Sequence, residues 1–466
     1  MPIGDLVARR ALREPDEVLV VDAGTGEELT TTALDAAATA LAGRLRAVGV
    51  VRDDTVVVAL PTSTAMVAAL VAVWTAGAVP LPVSPDLPPD ERAHLDRLAG
   101  PAAVIGVAAP GSAVPTIESV DSDGAGAAAG VPSGQWASSW KVSTSSGSTG
   151  PRKLIRSTVP ARFDPDRPVA PFLPGRAVQL VTADLWHPAA FTYAFRGLMT
   201  DHRLVLAPRA DASDLPDIIR RQEVTWALMA PSLLRRLVRL PVDRRGEVPT
   251  LRSVVHLGAP CPPADKRALM DWLGPERVVE VYASSESFGL TMITGAEWLA
   301  RPGSVGRGIG GTQIAVRDDD GRDLPAGEVG TVWMRRDGPP RYSRVGGATS
   351  RTDDGWDTAG DLGRLDADGW LYLVGRTTDR RSCGDTVVDL ARVEEHLLRH
   401  GDVVECLVSL PAGQGLCADI TLADHADEPA IAEFARAVVA RHCRPGRIRL
   451  RRSPIRDSAG KARRPT

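Results

Sequence analysis

Residues 203–257 read RLVLAPRADASDLPDIIRRQEVTWALMAPSLLRRLVRLPVDRRGEVPTLRSVVHL. The apolar runs RLVLA (203–207), VTWALM (224–229) and LRSVVHL (251–257) are strand-length. Helical patterns at 214–222 and 232–239 separate them. Strands that alternate with helices indicate βαβ units and a largely parallel sheet. The same rhythm occurs upstream. Residues 33–49 have helical periodicity, DDTVVVALPTS reads as a buried strand, and ALVAVWTAG reads as a helix ending at Gly77 that leads into the strand AVPLPVS. Residues 106–137 are rich in Gly, Ala, Ser and Pro and read as a surface connection. From about residue 310 the chain turns to short strands broken by DG and AG pairs, a β-rich texture. After the charged joint at 377–381 comes a small α+β tail, with helices predicted at 391–400 and 428–442 and strands at 403–410 and 417–422.

At 466 residues two or three domains are expected. The formal net charge of −3 excludes a typical basic nucleic-acid binder. Lysine occurs only at Lys141, Lys153, Lys266 and Lys461, and arginine supplies the rest of the 55 basic residues. Each lysine therefore calls for an explanation, because a flexible ammonium and a planar guanidinium do different work. Five cysteines with no CxxC pair predict neither a disulfide framework nor a zinc site and fit a reducing cytoplasm. The N-terminal stretch has no signal-peptide core, and Met66–Val83 is interrupted by Thr75, Gly77 and Pro80. It reads as a buried helix and strand, not as a membrane span.

Four stretches could carry chemistry. STSSGSTGPRK (143–153) combines glycines, hydroxyls and a lysine, which together suit phosphate oxygens. Its spacing is not that of the Walker loop. VYASSESFG (281–289) follows an apolar strand and offers an aromatic face, hydroxyls and one carboxylate. GWDTAGD with the later Gly375–Arg376 offers a carboxylate and an arginine suited to a ribose, and SAGKARR (458–464) is basic. Taken singly, these read equally as a linker, a strand end, turn chemistry and a solvated tail.

Their order decides between the readings. The chain resembles the adenylate-forming (AMP-binding) enzymes, and looks most like acyl-CoA and aryl-CoA synthetases. STSSGSTGPRK is similar to that family's [ST]SG[ST]TGxPK loop, HLGAP (256–260) to GGAP, YASSE to YGxTE, GWDTAGD to GWxxTGD, GRTTD to GRxxD and GKARR to GKxxR. The resemblance implies an α/β fold: a large N-terminal domain of stacked mixed and parallel sheets over residues 1–376, β-rich from about 310, and a small mobile α+β domain over 377–466. It implies ATP and Mg²⁺, a small carboxylic acid, aryl or acyl, and an acceptor, by default coenzyme A. By that resemblance Ser145, Ser146, Gly147, Ser148, Thr149, Gly150 and Lys153 cradle the β and γ phosphates. Gly258, Ala259, Pro260 and Tyr282 flank adenine, Ser285 meets the α-phosphate, Glu286 holds Mg²⁺, and Asp361 and Arg376 bind ribose. Lys461 bridges the carboxylate and the α-phosphate. Trp186 and His187 fall at the acyl pocket, although His187 reads equally as a packed core imidazole. No nucleic-acid or membrane partner is expected, and the chain is expected as a cytoplasmic monomer or homodimer.

The departures concern the joint. Thr378 stands for the usual hinge Asp while Asp379 is kept, and Ser382 replaces a lysine. Asp385 stands where a glycine lines the pantetheine tunnel, and Arg392 replaces a Glu while Glu394 is kept. The adenylating face is thus better preserved than the thioester face. An amine, a carrier-protein thiol or nitrite activation stays open as the second half-reaction, and so does a non-catalytic relative. Lys141 and Lys266 have no assigned role and are expected at the surface.

Overall fold

The computed structural model describes residues 1–120, 134–145, 152–347, 350–384, 386–458 and 460. Ser146, Gly147, Ser148, Thr149, Gly150, Asp385 and Lys461 lie outside the described residues. The decisive stretch folds as its pattern dictates. Strands Arg203–Leu206, Trp226–Met229 and Ser253–His256 alternate with helices Leu215–Arg221 and Pro231–Val238. Proline at the start of these helices fixes φ where no intrahelical donor is needed. Together with Val178–Val181, Val18–Asp22 and Val278–Ala283 they form the parallel part of a sheet that has 13 strands among the described residues.

Met66–Val83 becomes a helix, Thr64–Thr75, capped by Ser63, and a strand, Val79–Pro82. The helix is apolar all round because it is buried all round. Its strand joins a second parallel sheet with Thr55–Ala59, Ala103–Gly106 and Thr116–Ile117.

The β-rich region builds onto the main sheet. Strands Thr312–Arg317, Gly330–Arg336, Asp361–Leu365 and Leu371–Arg376 extend the main sheet, joined through Ser304–Gly308, which pairs with both Leu290–Thr294 and Leu371–Arg376. Gly306 makes the change of partner feasible. Its φ is +99° and a Cβ there would collide with the Met292 carbonyl. A third sheet, Val142–Thr144, Leu154–Ser157 and Tyr342–Val345, flanks the loop rich in glycine and serine.

The C-terminal region contains helix Leu390–Leu397, strands Val403–Ser409 and Leu416–Leu422, and helix Glu428–Ala440. It closes its own apolar core, which runs from Val388 to Val439. The structure adds two elements here, the hairpin Arg380–Cys383/Thr386–Asp389 and the strand Pro445–Arg451, parallel to Leu416–Leu422. Cys383 and Cys443 form a disulfide, with Cα atoms 6.3 Å apart. This corrects the expectation that the cysteines stand unpaired. The hairpin that brings Cys383 back toward the end of the last helix was not foreseen, so no spacing announced the pair. No helix among the described residues is long and apolar enough to cross a membrane.

Candidate functional site

The parallel strands Ser253–His256 and Val278–Ala283 are neighbours with His256 opposite Glu280, so Gly258–Pro260 and Tyr282 leave the same end of the sheet. Gly258 has φ +92°, which a side chain would resist. After Ala283 the chain turns tightly, with Ser287 at φ +58° and its N–H donating to the Ser284 carbonyl at 3.1 Å. This turn presents Ser284, Ser285 and Glu286 beyond the strand.

Asp361, only 4% exposed, is the hub of the first cluster. Tyr282 donates its hydroxyl to Asp361 Oδ2 at 2.6 Å, and Arg376 Nε donates to Oδ1 at 2.6 Å. The antiparallel register places Asp361 opposite Arg376, so the ion pair follows from strand pairing. Burial, and then the neighbouring Asp361 carboxylate, push the Tyr282 phenol well above its ordinary range. Burial lowers the Arg376 guanidinium, but Asp361 outweighs it and the net shift is upward. Tyr282 stays a neutral donor and Arg376 a fixed cation.

The second cluster lies on the flanking three-stranded sheet. Ser145 and Lys153 close the hairpin: Ser145 N–H donates to the Lys153 carbonyl at 2.8 Å, and Lys153 N–H donates to Ser145 Oγ at 2.9 Å. The Lys153 stem runs along the backbone at Gly347, where a Cβ would meet its Cδ and Cε. Arg344, opposite Ile155 in the register, donates through Nε and Nη2 to Glu286 Oε1 at 3.2 and 2.8 Å. Burial lowers Arg344, yet Glu286 outweighs it and the net shift is upward. The two clusters share a core in which Tyr282 packs against Ile155, Phe288, Tyr342 and Leu371.

The third cluster joins the two ends of the chain's chemistry. Trp186 and His187 precede helix Pro188–Leu198, their rings 6.3 Å apart. Asp184 N–H donates to Ser458 Oγ at 3.1 Å and the Ser458 hydroxyl donates to Asp184 Oδ2 at 2.6 Å. His187 Nε2 lies 3.6 Å from Asp457 Oδ2. A Cβ on Gly460 would reach Ala230 Cβ at 3.0 Å and Ser232 Oγ at 3.2 Å. The residues that precede Lys461 in the chain therefore rest against Asp184–His187 and the start of helix Pro231–Val238.

Two lysine expectations are corrected. Lys141 is buried, donating to Thr192 Oγ1 at 2.6 Å over the Trp140 ring, and burial with help from Arg196 lowers it to about 7. Lys266 is 1% exposed and pairs with Glu280 at 2.5 Å. Beside that pair, His256 is fully buried, neither ring nitrogen has a partner among the described residues, and burial lowers it to about 4. Sequence reasoning missed Arg344, Asp184 and Ser458 because their partners lie 58 and 274 residues away. Ser284, whose buried hydroxyl has no partner among the described residues, sat inside a quoted motif and was passed over.

As a magnesium site the donor set is one carboxylate, Glu286, amid hydroxyls. Among the described residues no cage of three ligand-type side chains forms. That fits an ion shared with substrate phosphates, the usual way Mg²⁺ binds with one or two carboxylates.

The class of protein is now defined, because residues 7–339 match the family model described as AMP-binding enzyme. The chain belongs to that family and is an AMP-forming ligase. Long-chain-fatty-acid–CoA ligase FadD13 of Mycobacterium tuberculosis is 26% identical over 502 aligned positions, covering 98% of this chain and 96% of its own. Phosphinothricin tripeptide synthetase PhsC of Streptomyces viridochromogenes is 29% identical over 440, covering 87% of this chain and 38% of its own. The amide bond synthetase McbA from Marinactinospora thermotolerans superposes with a TM-score of 0.75 at 25% identity, over 98% of this chain and 97% of its own.

Proposed function

We propose that the chain adenylates a small carboxylic acid, aryl or acyl, with ATP and Mg²⁺, releases pyrophosphate, and passes the acyl group to coenzyme A. Residues 1–376 bind the substrates and residues 377–466 move as a unit. The observation that carries this reading is the docking of Asp457 and Ser458 on His187 and Asp184, with Gly460 close to Ala230 and Ser232, which brings the residues near Lys461 to the proposed acid pocket. Carboxylate and α-phosphate repel each other, so attack needs both held in line and their charge neutralised. Lys461 supplies that cation. Lys153 with the Ser145–Gly150 loop binds the outer phosphates, Tyr282 with Gly258–Pro260 receives adenine, and Asp361 with Arg376 receives the ribose hydroxyls. Ser285, with Ser284 beside it, meets the α-phosphate. Trp186 and His187 bound the acyl group. Glu286, oriented by Arg344, would hold Mg²⁺, which when bound lowers the negative charge on the phosphates.

A second reading, an amine as acceptor, is favoured by the likeness over the whole chain to an amide bond synthetase and by Ser382 in the joint. The test of the main reading is Lys461→Ala. Acid-dependent pyrophosphate release is expected to fall by about 10²- to 10³-fold, the scale for removing one preorganised transition-state donor, while ATP binding persists. Release near the wild-type rate would refute the role of Lys461.

A further inference from the structure

Helix Pro231–Val238 carries two arginines that reach out of the N-terminal region into the C-terminal one. Arg235, 3% exposed, donates through Nε and Nη2 to the Val403 carbonyl at 3.2 and 2.8 Å, and through Nη2 to the Leu398 carbonyl. Its Nη1 donates to Asp265 Oδ2 at 2.6 Å, on helix Pro263–Leu273. Arg239, at the end of the same helix, donates to the Gly401 carbonyl and to the Val403 carbonyl at 3.1 Å. The acceptors have a common origin. Leu398 caps helix Leu390–Leu397, whose last carbonyls have no intrahelical donor, and Gly401 and Val403 follow it into the next strand. A guanidinium at such a helix end satisfies the carbonyls and matches the negative end of the dipole.

The far side of this arrangement is the tail. Glu405 accepts from the Ile455 and Arg456 N–H groups, at 2.9 and 3.3 Å, and Arg456 donates to Glu394 and to the Cys406 carbonyl. The tail is therefore tied to the body of the C-terminal region. Gly460 then comes back to Ala230 and Ser232, at the start of the helix that carries Arg235. One rigid helix of two turns thus touches both the Leu398–Val403 loop and the residue before Lys461.

We propose that Arg235, held by Asp265 and assisted by Arg239, is a positioning latch that sets the C-terminal region in the adenylating arrangement and so sets where Lys461 arrives. This rests on the reading given under Proposed function. Three features fit a latch better than a permanent joint. The acceptors in the C-terminal region are all backbone carbonyls, so the register is specified but each bond can be exchanged for water. The carboxylate of Asp265 keeps the guanidinium paired, so release leaves no lone buried charge. Arg235 uses three separate nitrogens at once in a planar fork, which a lysine cannot reproduce.

The test uses the full chain with Arg235→Lys, Arg239→Gln and Asp265→Asn. Four quantities are measured: acid-dependent ATP–pyrophosphate exchange, ATP affinity by calorimetry, the melting temperature, and the rate of tryptic cleavage at the exposed Arg380–Arg381 joint. Exchange is expected to fall by about tenfold or more, as for misplacement of a reacting group by an ångström. ATP affinity stays within about twofold, because none of the three is placed at the nucleotide, and cleavage at the joint speeds up. A purely structural role would lower ATP affinity and melting temperature together with exchange, and that pattern in Arg239→Gln and Asp265→Asn overturns the proposal. Unchanged exchange with unchanged cleavage also overturns it. If the wild-type chain shows no exchange with any acid, the reaction reading fails, and the cleavage rate alone decides the latch: faster cleavage in the variants sustains it and an equal rate refutes it.

Discussion

Replacing Asp361 by asparagine perturbs the proposed ribose clamp with almost no change of shape. A carboxylate has about four lone-pair sites, and Tyr282 and Arg376 occupy two of them at 2.6 Å each. Two remain for the ribose hydroxyls. Hydrogen bonds to a charged acceptor contribute about 1.5–3 kcal/mol against about 0.5–1.5 for a neutral one, so two bonds weakened by conversion to an amide cost about 2–3 kcal/mol, or about 30- to 150-fold in ATP affinity. The amide also keeps only one acceptor oxygen, and Tyr282 and Arg376 compete for it. The fold should survive, because the amide keeps an acceptor for the Arg376 side chain, which at 47% exposure can also turn to water. Calorimetric titration with ATP and with 2′,3′-dideoxy-ATP isolates the effect. The wild type should prefer ATP over the dideoxy nucleotide more strongly than Asp361→Asn does, by about the margin above. Tyr282→Phe, which frees a lone pair and leaves the carboxylate, should keep the preference. An Asp361→Asn chain that discriminates between the two nucleotides as strongly as the wild type would show that the carboxylate does not read the ribose.

Two further predictions concern stability. The Cys383–Cys443 bridge closes a loop with a sequence separation of 60, for which chain entropy gives about 4 kcal/mol. Three thiols should titrate in the unreduced denatured chain and five after reduction, and Cys383→Ser should lower the melting temperature of the C-terminal region. Five titratable thiols without reduction would exclude the bridge. His256, lowered to about 4 by burial, binds fewer protons when folded than at its ordinary 6.5 when unfolded. The unfolded state therefore gains protons between those values and stability drops as pH falls through that window, by about 2 kcal/mol at pH 5. His256→Gln should flatten that acid limb in urea titrations, and an unchanged limb would place the loss elsewhere.

The parallel half of the fold was legible because strands buried on both faces are continuous apolar runs, as in Leu204–Leu206 and Val254–Val255, and the intervening helices begin at prolines. Among the described residues, HLGAP, YASSE and GWDTAGD, the stretches assigned to the nucleotide by resemblance, fall at strand ends or turns, where spacing along the chain survives folding. What could not be read is pairing across the chain. Arg344 with Glu286, Asp184 with Ser458 and Arg235 with Leu398 each depend on three-dimensional register. Lys266 was readable in principle, since Asp265, Lys266, Leu269, Met270 and Leu273 form one helical stripe, all buried. Its charge argued for the surface, and Glu280 on the facing strand overrides that argument. The strand Pro445–Arg451 was obscured by its composition: arginine alternates with Ile448 and Leu450, and its pattern is only half-buried.

ATP–pyrophosphate exchange with Mg²⁺ over a panel of aryl and acyl carboxylic acids, in the absence of any acceptor, addresses the adenylation itself. Exchange that depends on one class of acid, needs no coenzyme A and falls by about 10²- to 10³-fold in Lys461→Ala is the predicted result. Tight ATP binding with no exchange for any acid, or turnover to ADP in place of AMP, would contradict it.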